Sequence, residues 1–206
     1  MPKKATSLFD LKGSSGKAVP TNWPSHLVFL RSAKYHSSVS PETRKYLQNC
    51  SSASNRSNYP SSNPKVLIKR ITGASHPAYG QFGLFAAQRI PPKTYIIQYL
   101  GEIHCNDRPS SDYDLSLCRL PGGVSVGIDA SAMGNEARFI NDYRGASAKP
   151  NVVFLDGREA SGELHMSIWS ANHEIKKGEE ILVSYGKSWW RSRAGTHDEE
   201  TYDDKQ

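Results

Sequence analysis

The chain has 206 residues and a mass of 22.8 kDa, room for one ordinary domain with a tail or two and not for several enzymatic modules. With 37% hydrophobic and 22% charged residues, and no run near the roughly 20 apolar residues of a membrane span, it reads as a soluble globular protein. The formal charge of +6 and a pI near 9.2 invite a nucleic-acid reading, but the charge is unevenly placed. Residues 1–65 hold ten Lys/Arg against two acids, whereas 66–206 hold 16 against 18. Met1-Pro2-Lys3-Lys4 and the polar residues after it do not form a secretory signal, so nucleus or cytoplasm is expected, the nucleus slightly favoured. Cys50, Cys105 and Cys118 are too few and too scattered for a disulfide framework or a four-cysteine zinc site, so no metal is expected.

In chain order, Trp23-Pro24 and Leu27 to Leu30 form a small apolar cluster suited to docking on a larger body. Ser40-Pro41-Glu42 opens a short helix with a serine cap, a first-turn proline and an acid at the positive end. Residues 51–65 are dominated by Ser, Asn and Pro and read as a linker that closes a basic N-terminal extension, 1–65. From Val66 the texture changes. Val66 to Ile68, Tyr95 to Leu100, Val124 to Ile128, Val152 to Leu155, Leu164 to Trp169 and Ile181 to Val183 are short runs rich in β-branched and aromatic residues. Turn formers separate them, among them Pro91-Pro92, Pro121-Gly122-Gly123, Asp156-Gly157 and Lys177-Gly178. Gly134 to Ile140 is the best short helical candidate in a mostly β domain, and residues 191–206 read as an acidic tail.

Several signals fail. Gly186-Lys187-Ser188 ends like a phosphate-binding loop, but Ile181 stands where its first glycine must be. No G-x-G-x-x-G follows a strand, and the seven histidines are dispersed outside any metal-binding or nucleophile pattern, so each reads as an ordinary surface or core residue.

What remains is an ordered series of short patterns. They are Gly83-Leu84-Phe85-Ala86, Tyr99-Leu100-Gly101-Glu102, Tyr113-Asp114-Leu115, Ile128-Asp129-Ala130, Gly134 to Asn141 (GNEARFIN), Pro150-Asn151-Val152 and Gly178 to Gly186 (GEEILVSYG). In that order the sequence resembles a SET domain, the β-rich catalytic domain of protein lysine methyltransferases, over roughly Val66 to Trp190. The resemblance implies a mostly β (β-rich α+β) fold of several small sheets and few short helices. Its C-terminal segment would thread into a pseudoknot, so that the segments around Asn141 and Tyr185 meet. It implies an S-adenosyl-L-methionine-dependent protein lysine N-methyltransferase, with a domain over 66–190.

By resemblance, Arg138, Phe139, Asn141 and Asp142 lie beside S-adenosylmethionine, with Phe82 and Gly83 offering backbone contacts. Tyr185 corresponds to the catalytic tyrosine, and also borders the cofactor; Tyr113 corresponds to a second active-site tyrosine lining the lysine channel. Val183 lies where the family often carries a larger aromatic residue, so a roomier channel and multiple methylation are expected. Trp189-Trp190 is expected to close the site where relatives use zinc-bearing modules, with Trp190 either stacking on adenine or packing on the core. Arg138 is equally readable as an ion-pair partner of Glu102 or Glu180.

Two departures from the family pattern bear on cofactor binding. Gln81 replaces the first glycine of the early turn, with Gly80 one position early, and would be strained if the turn needs a positive φ there. Asp142 replaces the usual histidine after Asn141, and can attract a lysine or pair with Arg144. The expected partners are a protein with an exposed lysine, histone or non-histone, and chromatin through the basic N-terminal extension. The alternative is a catalytically inactive SET-like module that binds a peptide or chromatin partner.

Overall fold

The computed structural model describes residues 19–48, 65–159, 161–187 and 189–190. Most of the expected linker and the whole acidic tail lie outside the described residues.

Thirteen short strands carry the described chain. They are β1 (Val28–Phe29), β2 (Lys34–Tyr35), β3 (Val66–Arg70), β4 (Phe82–Ala86), β5 (Tyr95–Gln98), β6 (Glu102–His104) and β7 (Asp114–Arg119), then β8 (Ser125–Asp129), β9 (Met133–Gly134), β10 (Asn141–Asp142), β11 (Val152–Arg158), β12 (Leu164–Ser170) and β13 (Leu182–Val183). Helix α1 (Pro41–Gln48) lies between β2 and β3, and a 3-10 turn (Glu136–Phe139) stands where the short helical candidate was expected. The strands form five small sheets: β2-β6-β8-β7, β11-β12-β5, and the pairs β3-β4, β1-β9 and β10-β13. This is the expected β-rich fold of several small sheets with few short helices.

The sheets pack around one apolar core in which Leu84, Ile96, Ile103, Ile128, Ile168 and Ile181 are buried almost completely. Small sheets expose many edges, and buried polar side chains satisfy the backbone groups left over. Asn135, which precedes the 3-10 turn, donates to the Gln98 carbonyl (2.7 Å) and accepts from the Leu100 N–H (3.2 Å).

Residues 19–48 pack as part of this body. Strand β1 pairs in parallel with β9, and β2 adds to the four-stranded sheet beside β6. Trp23 packs edge-on against Phe139, with ring centroids 5.6 Å apart. Helix α1 begins as expected, the Thr43 N–H donating to Ser40 Oγ (3.1 Å). Leu47 is completely buried, and Arg158 of β11 donates to the Leu47 carbonyl at the C-terminal end of α1 (3.2 Å). Packing on the core therefore includes residues well before Val66. Five of the ten basic residues of 1–65, namely Arg31, Lys34, Arg44, Lys45 and Lys65, lie within the described residues.

The decisive local feature is the parallel pairing of β10 with β13, Asn141 opposite Leu182 and Asp142 opposite Val183. Two residues of ladder cannot hold such a crossing alone, and Asn151 reinforces it. Its side chain donates to the Glu180 carbonyl (2.8 Å) and accepts from the Leu182 N–H (2.8 Å), while its own N–H donates to the Leu182 carbonyl (3.0 Å). Replacing Asn151 by alanine leaves two inward-facing backbone groups without partners. Asn151→Ala is expected to lower unfolding free energy by about 2–3 kcal/mol, measured by urea denaturation, whereas a change below about 0.5 kcal/mol would show that the crossing does not depend on this side chain.

Candidate active site

The β10–β13 crossing brings together residues that are remote in sequence. The 3-10 turn delivers Arg138 and Phe139, β10 delivers Asn141 and Asp142, and the chain leaving β13 delivers Tyr185. Two cavities flank this junction. The first, of about 520 Å³, is bounded by Phe82, Arg138, Phe139, Asn141 and Asp142, by Pro24 and Leu27 of the N-terminal segment, and by Trp189 and Trp190. The second, of about 600 Å³, is bounded by Tyr99, Arg108, Asp114, Ile140 and Phe154. Asp112, Tyr113, Arg138, Tyr185 and Trp189 line both, and so form the wall between them.

Tyr185 is held from both ends. Its hydroxyl donates to the Ile140 carbonyl (2.7 Å), its backbone N–H donates to Asp142 Oδ2 (2.7 Å), and its ring lies 4.7 Å from that of Trp189. Burial pushes the phenol well above its usual pKa, with the negative charge of Asp142 and the nearby Tyr113 adding to the effect. At neutral pH the hydroxyl is therefore protonated, giving its hydrogen to Ile140 and keeping its oxygen as an acceptor.

Tyr113 is fixed by its surroundings. Its carbonyl accepts from the Tyr99 hydroxyl (2.8 Å), and the loop before it is anchored on Asp129. Arg108 (2.9 Å) and the hydroxyls of Ser111 (2.7 Å) and Ser131 (2.9 Å) all donate to the Asp129 carboxylate. Burial opposes the charge on Asp129, but these hydrogen bonds outweigh it and hold the carboxyl below its ordinary range. The guanidinium of Arg138 lies 4.1 Å from the Tyr113 ring centroid and donates through Nε to the Ala130 carbonyl (2.9 Å). The ion pair once open to Arg138 goes elsewhere: Glu102 pairs with Arg108 (2.7 Å), and Glu180 faces His76 and Asn141.

Asp142 gathers four donors. They are the N–H groups of Tyr185 and Arg144 (2.9 Å), the Arg144 guanidinium (2.8 Å) and the Trp190 indole (3.3 Å). Burial again works against the charge, and the hydrogen bonds prevail, holding the Asp142 carboxyl below its ordinary range. Of the two fates open to Asp142 from sequence, pairing with Arg144 is the one realised. Trp190 is 39% exposed, its ring lying against Trp189 and 5.5 Å from the Arg144 guanidinium.

Gln81 carries no strain, because the positive φ of the turn falls on Gly80 (79°). This removes the steric premise for an inactive module. Gly83 lines neither cavity; an added Cβ there would come within 2.5 Å of Glu180 Oε1 and 3.2 Å of Asn141 Nδ2. Val183 also lies apart. It is buried in β13 at 2% exposure and borders neither cavity, so its small size opens no space in either, contrary to the expectation drawn from the family position. The remaining expected residues, Phe82, Tyr113, Arg138, Phe139, Asn141, Asp142, Tyr185 and Trp190, all face the first cavity. Sequence reasoning missed Asp112, which lies just before the Tyr113 pattern, and His76 and Leu27, which precede the family-like patterns. Among the described residues no group of three or more His, Cys, Asp or Glu is placed to hold a metal ion.

Comparison with known proteins identifies the family. The histone-lysine N-methyltransferase EHMT1 of Homo sapiens is 30% identical over 115 residues, covering 53% of this chain and 8% of that protein. The histone-lysine N-methyltransferase EZH2 of Chaetomium thermophilum is 27% identical over 120 residues, covering 52% and 8%. The chain thus spans about 8% of the length of these curated relatives. Among solved structures, KRYPTONITE in complex with mCHH DNA, an H3(1-15) peptide and SAH matches 60% of this chain and 24% of that one, with a TM-score of 0.45 at 19% identity. The Chaetomium thermophilum PRC2 in its apo form matches 64% and 16%, with a TM-score of 0.49 at 23% identity. The family model described as SET domain matches residues 81–186, just over half of the chain and the whole stretch from the Gly80 turn to Tyr185, and the protein belongs to the SET domain family.

Proposed function

We propose that this protein is an S-adenosylmethionine-dependent protein lysine methyltransferase, with cofactor in the first cavity and the target lysine reaching the shared wall from the second. The observation that carries this reading is the wall itself. Tyr113 and Tyr185 border both cavities, as required where two reactants approach one another from opposite sides.

The residues of the first cavity fit such a cofactor. Its volume of about 520 Å³ is in the range of small-molecule sites. Phe82, Phe139 and Trp190 offer apolar faces for an adenosine, and Arg138, Arg144 and Asn141 offer polar groups for its amino-acid end. When bound, the cofactor supplies an electrophilic methyl group on a sulfonium. The protein has then to orient a neutral amine, which for a free lysine at pH 7 costs about 4–5 kcal/mol. Burial in an enclosed channel lowers that cost, because desolvation disfavours the ammonium. The protonated Tyr185 phenol and the Ile140 carbonyl place oxygen acceptors at the junction, suited to orient the amine and to receive weak C–H···O contacts.

The proposed substrate is an exposed lysine on a histone or another protein, in keeping with the names of the relatives. A nuclear location and chromatin contact through the basic N-terminal residues are part of the same proposal. Trp189 and Trp190 serve as the closing surface of the cofactor side, tethered by Asp142.

One measurement tests the transfer and a second the tether at Asp142. Tyr185→Phe is expected to lower methyl transfer from labelled cofactor to histone at least 100-fold while the fold, followed by circular dichroism, is retained; activity equal to the parent would remove Tyr185 from the reaction. Asp142 has its own signature, because its folded pKa is depressed. Its contribution is fully present above the ordinary carboxylate value of about 4 and is lost as pH falls through the lower folded value. The stability difference between the parent and Asp142→Asn should therefore shrink steadily below about pH 4. A difference independent of pH between about 2 and 6 would show that the carboxylate charge is not what holds the segment.

A further inference from the structure

His76 lies five residues before the segment that the family model matches, in the turn between β3 and β4, and its side chain is 13% exposed. The turn is well anchored. The Gly80 N–H donates to the Ile71 carbonyl (3.0 Å), Arg70 donates to the Gly80 carbonyl, and Pro77 occupies the space that a side chain on Gly145 would need.

The ring's protonation follows from its partners. Nδ1 accepts the Ala78 N–H (3.0 Å), which places the ring hydrogen on Nε2. Nε2 is buried, lacks well-aligned hydrogen-bond geometry, and sits 3.1 Å from Glu180 Oε2. The other oxygen of that carboxylate, Oε1, accepts from Asn141 Nδ2 (2.8 Å), which also reaches the Phe82 carbonyl (3.4 Å). Both hydrogens of the Asn141 amide are thus directed into the protein, and its oxygen is what Asn141 has left to offer the first cavity. Had the amide turned over, its oxygen would meet the Glu180 carboxylate and the Phe82 carbonyl, two acceptors. Gly83 keeps the place open, since a Cβ there would strike both Glu180 and Asn141.

We propose that His76 is a positioning residue. It steadies the Glu180 carboxylate so that Asn141 is held with its oxygen presented to the cationic amino group of the cofactor. This rests on the cofactor-side reading above. His76 acts through Glu180, so its effect and that of Glu180 are one effect and not two.

Two measurements on the full chain decide it. In the first, binding of S-adenosylhomocysteine is followed by calorimetry for the parent, His76→Ala, Glu180→Gln and the double variant. Each single variant is expected to bind about tenfold more weakly, the double variant no more weakly than the worse single one, and His76→Gln, which keeps a donor, within about threefold of the parent. Unchanged affinity in His76→Ala, or losses that multiply in the double variant, would overturn the relay. In the second, which needs no ligand, the Asn141 side-chain amide protons are observed by NMR, assigned from their loss in Asn141→Asp. They should exchange slowly in the parent and at least tenfold faster in His76→Ala, with the remaining amide signals in place; equal exchange rates would overturn the proposal, as would, should His76→Ala lose its dispersion, parent-like exchange in a folded Glu180→Gln variant. A parent that shows the slow amide but binds no S-adenosylhomocysteine would overturn the cofactor reading, and with it the role of the Asn141 oxygen, while leaving the His76–Glu180–Asn141 contact standing.

Discussion

The whole site hangs on a two-residue parallel ladder. Strands β10 and β13 are joined by only Asn141–Leu182 and Asp142–Val183, yet this pairing places Tyr185 beside residues more than forty positions earlier. Parallel strands cannot be linked by a tight turn, so the connection must travel away and return. Here it builds β11 and β12 on the way. A ladder that short cannot offset its own closure entropy. Side chains complete it: Asn151 bonds to backbone groups of residues 180 and 182, and Asp142 binds the Tyr185 N–H.

The same device recurs wherever the small sheets leave backbone groups over. Asn135 links the 3-10 turn to the end of β5, and Asp129 gathers Arg108, Ser111 and Ser131 around the loop that carries Tyr113. These buried polar residues are structural braces and site builders at once. A brace at Asp129 fixes one tyrosine of the shared wall, and a brace at Asp142 fixes the other and reaches the Trp190 indole. Partly satisfied polar networks are costly in a low-dielectric interior, so such a fold commits to one geometry.

Much of the fold was legible as short runs of β-branched and aromatic residues, and β3, β5, β8, β11, β12 and β13 all fall within or across those runs. Strands β4 and β7 were less visible. Gly83 and Ala86 lend β4 little strand preference, and Asp114, Ser116 and Cys118 break any apolar run in β7. Strands β1 and β2 have two residues each and exist only because β9 and β6 receive them, which no local pattern can announce. In the site, Tyr113, Arg138, Phe139, Asn141 and Tyr185 were legible because they stand in ordered family-like strings, and Phe82 because it adjoins one. His76, Leu27 and Asp112 stand in no such string.

Taken alone, the amino-acid order determined the β-rich class, the family-like strings and the residue types available for the chemistry, because those depend on local composition and spacing. Tertiary structure decided what each residue does with its neighbours. It turned Asp142 toward Arg144 and Trp190, gave the positive φ to Gly80 and spared Gln81, buried Val183 away from both cavities, and folded residues 19–48 into the same body. These outcomes depend on which groups meet across the β10–β13 crossing and the sheet edges. Contacts between residues tens of positions apart are set by packing and by the satisfaction of buried polar groups, and neither is written in any local stretch of sequence.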